Sequence, residues 1–279
     1  MPEYGSVHRA LRPDPWHTVR EGAAQSVRLG QRIYWYGFRR AHKISPRDGM
    51  FDPQRYGHFH YAAVGRSALS CITSSLAAAE KSGIARTLDF GCGHGRVLRV
   101  LRQAFPAARI TASDVDRDGV DFCARTFGAI PSYSSTDPAQ VKFEEPFDVI
   151  WVGSVFTHID QSAWAGFLSA LSSSLTSDGV LVLSTHGPQV ARWIRSGSGP
   201  VRSYGLDEQT MASVLADYSA SGFGYGDYPG WPGYGISIAS PEAARALIEA
   251  SGLRVVNYTA TAWDNHQDVY GCARADNAV

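Results

Sequence analysis

The segment Leu88-Asp89-Phe90-Gly91-Cys92-Gly93-His94-Gly95-Arg96 limits the possible folds of this chain more than any other. Residues 87–90 read as a brief strand, and residues 95–105 put Val97, Leu98, Leu101 and Phe105 on one helical face, so the glycines fall in a strand-to-helix turn. Glycine lets the backbone turn tightly and approach a ligand where a Cβ would collide, and the following helix presents free N–H groups and its positive end. This predicts a cofactor-binding turn. A dinucleotide fingerprint wants its third glycine where Arg96 stands, which disfavours a pyrophosphate site. Asp114, 23 residues beyond Gly91, ends the next strand, where an acid can accept hydrogen bonds from both hydroxyls of a ribose lying across the turn.

The same alternation continues down the chain. Strands are expected at 109–113, 129–133, 147–152 and 180–184, with two more at 253–258 and 268–273, and helices at 119–126, 161–175 and 241–250. Pro131 suggests that the third strand lies at an edge, because proline cannot donate to a ladder. Asp160 is a good N-cap for the stripe Trp164, Phe167, Leu168, Leu171 and Leu175, and Pro241 and Gly252 bracket the last helix. The expected fold is α/β: a Rossmann-like, seven-stranded, mostly parallel sheet with helices on both faces and no internal repeat. Two stretches fall outside this rhythm. One is an N-terminal arm, residues 1–62, where Tyr34, Trp35, Tyr36, Phe38, Arg39 and Arg40 are followed by Tyr56, His58, His60 and Tyr61; the other is a long insertion after strand five, residues 187–240, ending in the Gly-, Tyr- and Pro-rich run 222–235. Connections of that length are uncommon unless they form lids or binding elements, and both are expected at the carboxyl ends of the strands.

With 279 residues, 44% hydrophobic and 19% charged, the chain can bury one large core or two modest ones and is not disordered. No apolar run approaches the roughly 18–20 residues that span a bilayer, and Pro2, Pro13 and Pro15 interrupt a start with no apolar leader. A soluble, cytoplasmic protein is expected. The cysteines Cys71, Cys92, Cys123 and Cys272 are scattered without zinc spacing, and His58 with His60 lacks a third ligand, so no metal is expected. Residues 1–66 hold 11 Lys and Arg against 5 Asp and Glu, whereas the rest holds 15 against 21. The basic arm can meet an anionic partner or dock on the acidic body of its own chain.

These features together resemble the class I S-adenosylmethionine-dependent methyltransferases over about residues 65–275. Asp89-Phe90-Gly91-Cys92-Gly93-His94-Gly95 matches their acid-x-G-x-G-x-G motif, and Asp114, followed by Val115, matches their ribose-binding acid. Phe147-Asp148-Val149-Ile150 with Ser154-Val155-Phe156-Thr157-His158-Ile159 looks like their strand four and its exit loop. Leu175-Thr176-Ser177-Asp178-Gly179 looks like their turn into strand five, with Ser177 and Asp178 where Pro and Gly usually stand, and Thr136-Asp137 aligns loosely with the acid after strand three. The resemblance implies that the last strand is antiparallel, that residues 63–279 form the methyltransferase domain with 187–240 on its substrate side, and that S-adenosylmethionine is bound and leaves as S-adenosylhomocysteine. It implies cofactor contacts from Asp89, Gly91, Cys92, Gly93, Asp114, Val115, Asp137 and Ser154.

On the acceptor side, His158 follows strand four and His186 follows strand five. Each is a candidate catalytic residue, since histidine can take a proton from a hydroxyl near neutral pH, or else an anchor for its loop. Tyr225, Tyr228, Trp231 and Tyr234 can stack on a sugar or planar ring, or simply hold the loop to the core. The exit Gly153-Ser154-Val155-Phe156 lacks the Asn- or Asp-Pro-Pro-aromatic sequence of amino-group methylation, so O-methylation of a small molecule or glycan is expected. A negative body argues against nucleic acid. The alternative from another class is a catalytically silent S-adenosylmethionine-binding partner or regulatory protein, since fold does not fix function. An NAD-dependent oxidoreductase would need a glycine in place of Arg96. Oligomeric state and the methylated atom stay open.

Overall fold

The computed structural model describes residue 39 and residues 42–52, 59–199 and 204–275. Tyr34, Trp35, Tyr36, Phe38, Arg40, Tyr56 and His58 of the arm lie outside the described residues. In chain order the elements are α1 (His60–Ala78), β1 (Arg86–Phe90), α2 (Leu98–Ala104), β2 (Arg109–Asp114), α3 (Arg117–Phe127), β3 (Ile130–Tyr133), β4 (Phe147–Val152), α4 (Gln161–Ser173), β5 (Leu175–Thr185), α5 (Pro188–Ser196), α6 (Glu208–Ser221), β6 (Phe223–Tyr228), β7 (Trp231–Ala239), α7 (Pro241–Ala250), β8 (Leu253–Trp263) and β9 (Gln267–Arg274).

Seven strands form one sheet in the order β3-β2-β1-β4-β5-β9-β8. All pairs from β3 to β5 are parallel, and β9 runs antiparallel to both β5 and β8. β3, with Pro131, is an edge strand as its proline requires. Helices cover both faces. On one, α1, α2 and α3 bring Ile72, Leu98, Leu101 and Val120 onto Ile110, Val149, Trp151 and Val182. On the other, α4 and α7 bring Trp164, Leu168, Leu171 and Ile248 onto Leu88, Ile150 and Leu181. Asp160 caps α4 by accepting the Ala163 N–H at 2.8 Å, which fixes where that apolar stripe begins. Truncating a buried leucine such as Leu168 to alanine costs roughly 2–5 kcal/mol.

Three local expectations are corrected. α2 begins at Leu98 rather than Gly95, because Gly95 holds φ +78°, outside the helical region. Ser177-Asp178-Gly179 do not precede β5 but lie within it, opposite a register shift in β4; Lys81 steadies this irregularity by bridging Asp178 at 2.7 Å and Asp148 at 3.2 Å. The segment 187–240 is not irregular: it holds α5, α6 and the antiparallel hairpin β6-β7, with an apolar cluster of Val190, Leu206, Met211, Val214, Ile236 and Ile238. The glycines of β6 look like loop signals in sequence but serve close packing. A Cβ on Gly224 would stand 2.0 Å from the Val214 carbonyl oxygen of α6.

Part of the arm is seen to dock on the body. Arg47 pairs with Asp118, and Arg99 donates to the His42 carbonyl at 2.6 Å and to the Tyr61 hydroxyl at 3.1 Å, while Ile44, Phe51 and Tyr61 pack on one another within the arm. Among the described residues, no helix is long and apolar enough to cross a membrane.

Candidate active site

The strand order reverses between β1 and β4, and it is beside such a reversal, at the carboxyl ends of the strands, that open α/β sheets bind ligands. The glycine turn leaves β1 there and Gly153-Ser154-Val155 leaves β4 beside it. Gly91 holds φ +80°, and a Cβ on it would stand 2.6 Å from Val155 Cγ2, so only glycine lets the two exits touch. Gly93 also lies in the left-handed region, but its Cα faces open space. Asp114 touches Gly93 through its backbone N–H.

Asp114 holds the turn together. Its Oδ2 accepts the Gly93 N–H at 2.7 Å and its Oδ1 the Asp116 N–H at 2.9 Å, and the Val115 N–H adds a further backbone bond, which leaves the carboxylate room for another donor. Burial pushes its carboxyl up, against the pull of those N–H bonds. The Gly91 and Cys92 N–H groups both go to the Ser113 carbonyl, so these backbone donors are already spent and no phosphate cradle is formed from them. Asp89 is fully buried under the turn. It accepts the Leu98 N–H, its Oδ2 has no partner, and burial with the nearby Asp114 charge pushes its carboxyl up to about 7.

The other expected cofactor residues divide. Ser154 holds φ +59° directly after Gly153 and so belongs to the wall facing Gly91. Cys92 turns its thiol into the core beside Cys123. Val115 is half-buried next to Asp114. Asp137 is exposed and spends its carboxylate on the Ala139 N–H and the Gln140 amide, both at 3.0 Å; no hydrogen bond among the described residues joins it to the glycine turn.

After β4 and β5, His158 and His186 come together, ring centroids 6.5 Å apart. His158 Nδ1 lies 2.8 Å from the Gly235 carbonyl oxygen and His186 Nδ1 lies 3.2 Å from that of Ser237. A carbonyl can only accept, so both Nδ1 atoms carry the proton, and in the neutral ring the lone pair is on Nε2. The anchoring strand is β7, itself held by Gly235 N–H to His158 O and Ser237 N–H to Thr157 O, both at 2.9 Å. Tyr234 stacks on His158 at 5.1 Å, and Tyr228 lies beside both rings. Burial holds the His186 imidazole well below its ordinary range, so it stays neutral.

Sequence reasoning missed three members of this cluster. His266, from the β8-β9 connection, stacks on His186 at 5.3 Å, and its Nε2 is hydrogen-bonded to the Tyr204 hydroxyl at 2.9 Å. Gln267 bridges Ser154 and Ser184 at 2.7 Å each. No local signal marks them, since their partners are 62 or more residues away. His60 pairs with Asp264 at 3.4 Å, and among the described residues no group of three or more His, Cys, Asp or Glu side chains could hold a metal ion.

A Methyltransferase domain family match spans residues 60–258, most of the chain. The chain belongs to this methyltransferase family. The cofactor of the family is S-adenosylmethionine. Two curated relatives are malonyl-[acyl-carrier protein] O-methyltransferases: that of Acetivibrio thermocellus, 28% identical over 128 residues, 46% of this chain and 44% of the relative, and that of Halalkalibacterium halodurans, 30% identical over 107 residues, 36% and 39%. The chain spans less than half the length of these relatives. Among solved structures it is similar to an S-adenosylmethionine-dependent methyltransferase from Clostridium acetobutylicum (TM-score 0.52, 12% identity, 88% of this chain and 99% of that one). It is also similar to the Burkholderia thailandensis 1,6-didemethyltoxoflavin-N1-methyltransferase (0.51, 14%, 94% and 94%), solved with 1,6-didemethyltoxoflavin and S-adenosylhomocysteine. At these identities the likeness is one of fold.

The methyltransferase site fits its cofactor on three counts. The side of Gly93 is open, Asp89 keeps a buried oxygen without a partner under the turn, and Asp114 keeps acceptor capacity beyond its backbone bonds. Carboxylates suit a cationic sulfonium cofactor with an ammonium group, as they do not suit a phosphate.

Proposed function

We propose that this chain transfers a methyl group from S-adenosylmethionine to a hydroxyl oxygen of a small molecule or glycan. The observation that carries the reading is the pair of imidazoles after β4 and β5, whose Nδ1–H groups are tied to β7 carbonyls, which makes Nε2 the basic nitrogen of each neutral ring. When bound, S-adenosylmethionine supplies an activated methyl group for in-line attack. Asp89, Gly91, Gly93, Asp114, Val115 and Ser154 hold the cofactor side, Asp114 accepting hydrogen bonds from ribose hydroxyls. His158 takes the proton that an attacking hydroxyl gives up, and His186, kept neutral by burial, is the second acceptor. Tyr228 and Tyr234 exclude water and offer flat apolar faces to the acceptor. The insertion 187–240 is therefore the acceptor-side element of a domain over 63–279, and oxygen is also the atom named for the malonyl-carrier relatives. A soluble cytoplasmic enzyme without a resident metal completes the proposal.

The test supplies the purified chain with S-adenosylmethionine and metabolite extracts and follows S-adenosylhomocysteine together with metabolites that gain about 14 Da, the mass of a methylene, in a two-substrate transfer. A hydroxyl-bearing metabolite converted to an O-methyl product that gains this mass, lost with His158→Ala, is expected. Saturable cofactor binding with no product from any extract overturns the enzyme in favour of a silent binding protein.

A further inference from the structure

Ser154 holds its left-handed backbone (φ +59°) with a side chain attached, and the surrounding contacts over-determine it. Its N–H donates to Ser184 Oγ at 2.9 Å, the Ser184 hydroxyl donates to Gln267 Oε1 at 2.7 Å, and the Gln267 amide donates back to Ser154 Oγ at 2.7 Å. The ring joins the ends of β4, β5 and β9. From below, Gly153 rests on two indoles: a Cβ on it would stand 2.8 Å from both Trp151 Nε1 and Trp263 Cη2. Trp263 is the register partner of Gln267 across β8 and β9, so one hairpin supplies both supports. The connection between these strands contains Asp264 and Asn265, again left-handed, at φ +58° and +52°. On the far side of the exit loop, Val155 Cγ2 fills the space beside Gly91.

We propose that Gln267 is a positioning residue for the cofactor: by clamping Ser154 in the left-handed conformation, it keeps residues 153–155 against the glycine turn and so sets the width of the S-adenosylmethionine site. Gln267 acts through Ser154 and touches neither the methyl group nor the acceptor. The proposal rests on the cofactor reading above and not on the identity of the acceptor. Its physical basis is that a residue with a Cβ returns to ordinary backbone angles when its clamp is removed, whereas glycine populates positive φ without one.

Titration of the full chain with S-adenosylhomocysteine by calorimetry tests this. Gln267→Leu is expected to weaken binding about tenfold, the size of one lost hydrogen-bonded contact, while the ligand-free thermal midpoint moves by only a few degrees. In a Ser154→Gly background the same Gln267→Leu change is expected to have no further effect beyond about twofold, because glycine needs no clamp. A merely structural glutamine would weaken both backgrounds equally, and that result overturns the proposal, as does Gln267→Leu binding as tightly as wild type. If Gln267→Leu fails to fold, Ser184→Ala breaks the same ring, with the same two expected outcomes and the same overturning ones. A wild-type chain with no saturable heat overturns the cofactor reading and this proposal with it, a result distinct from a wild type that binds and variants that bind equally.

Discussion

His158 donates its Nδ1–H to the carbonyl oxygen of Gly235, 2.8 Å away, and this bond between the β4 exit and the β7 strand decides which imidazole nitrogen keeps its lone pair. Because Tyr228 Oη is 3.3 Å from the same nitrogen, it shares that proton and does not compete for it. His158→Ala is expected to lower turnover by roughly 10²–10⁴ while S-adenosylmethionine affinity stays within about threefold. Turnover and calorimetry on the same preparation check this. Unchanged turnover would demote His158 to a loop anchor.

The glycines of the cofactor turn separate by what their missing side chains face. A Cβ on Gly95 would stand 2.9 Å from Phe127 Cε2 and 3.0 Å from Cys123 Sγ, at φ +78°. Gly95→Ala should cost roughly 2–4 kcal/mol of stability, the sum of left-handed strain and overpacking. Gly93→Ala meets nothing within 4 Å and should cost only about 1 kcal/mol, the strain alone, yet its methyl group enters the cofactor space and should weaken binding at least tenfold. Denaturant unfolding and ligand titration on both variants read the contrast. Equal stability losses, or tight cofactor binding by Gly93→Ala, would contradict the placement.

Asp89, ordinarily a carboxylate above pH 3.8, keeps its proton to about pH 7 under the turn. A raised carboxyl stabilises the fold fully at acid pH and loses that contribution as pH rises toward 7. A cationic cofactor favours the ionised form, so S-adenosylmethionine should bind more tightly as pH rises from about 5 to about 8, with proton release on binding near pH 6. Calorimetry in buffers of different ionisation enthalpy measures that proton. Asp89→Asn should abolish the pH dependence, and a wild type whose affinity is flat across this range would refute the prediction.

His266, stacked on His186, is pulled down to about 4 by burial, and His186 also lies well below 6.5. Both are neutral in the fold and protonate more readily when unfolded. Their contribution is therefore present above about pH 6.5 and lost as pH falls toward their folded values. The thermal midpoint should decline from pH 7 to about pH 4.5, and His266→Phe, which keeps the stack and removes one proton site, should flatten the decline. Scanning calorimetry across this range decides it; parallel curves for the two proteins would contradict the assignment.

Much of this fold is legible one residue at a time. Gly91 and Gly95 demand a turn because their backbone angles exclude side chains, Pro131 marks an edge because it lacks an N–H, and Asp160 starts α4 because its carboxylate accepts the Ala163 N–H. Each of these is a short-range steric or hydrogen-bonding fact, and with Asp114, which accepts the Gly93 N–H, they bring the geometry of the glycine turn within reach of the sequence. The glycines at 224 and 226 mislead for the opposite reason: their small size serves α6, and that neighbour is invisible along the chain. His266, Tyr204 and Gln267 likewise acquire roles only through partners brought near by the order of β4, β5 and β9. The amino-acid sequence by itself determined where the chain turns and which methyltransferase family it belongs to, since the turns depend on covalent geometry and nearest neighbours. Which nitrogen of His158 carries the proton, how far Asp89 is shifted and what holds Ser154 were decided only by the tertiary structure, because desolvation and side-chain hydrogen bonds depend on distances between residues far apart in the chain.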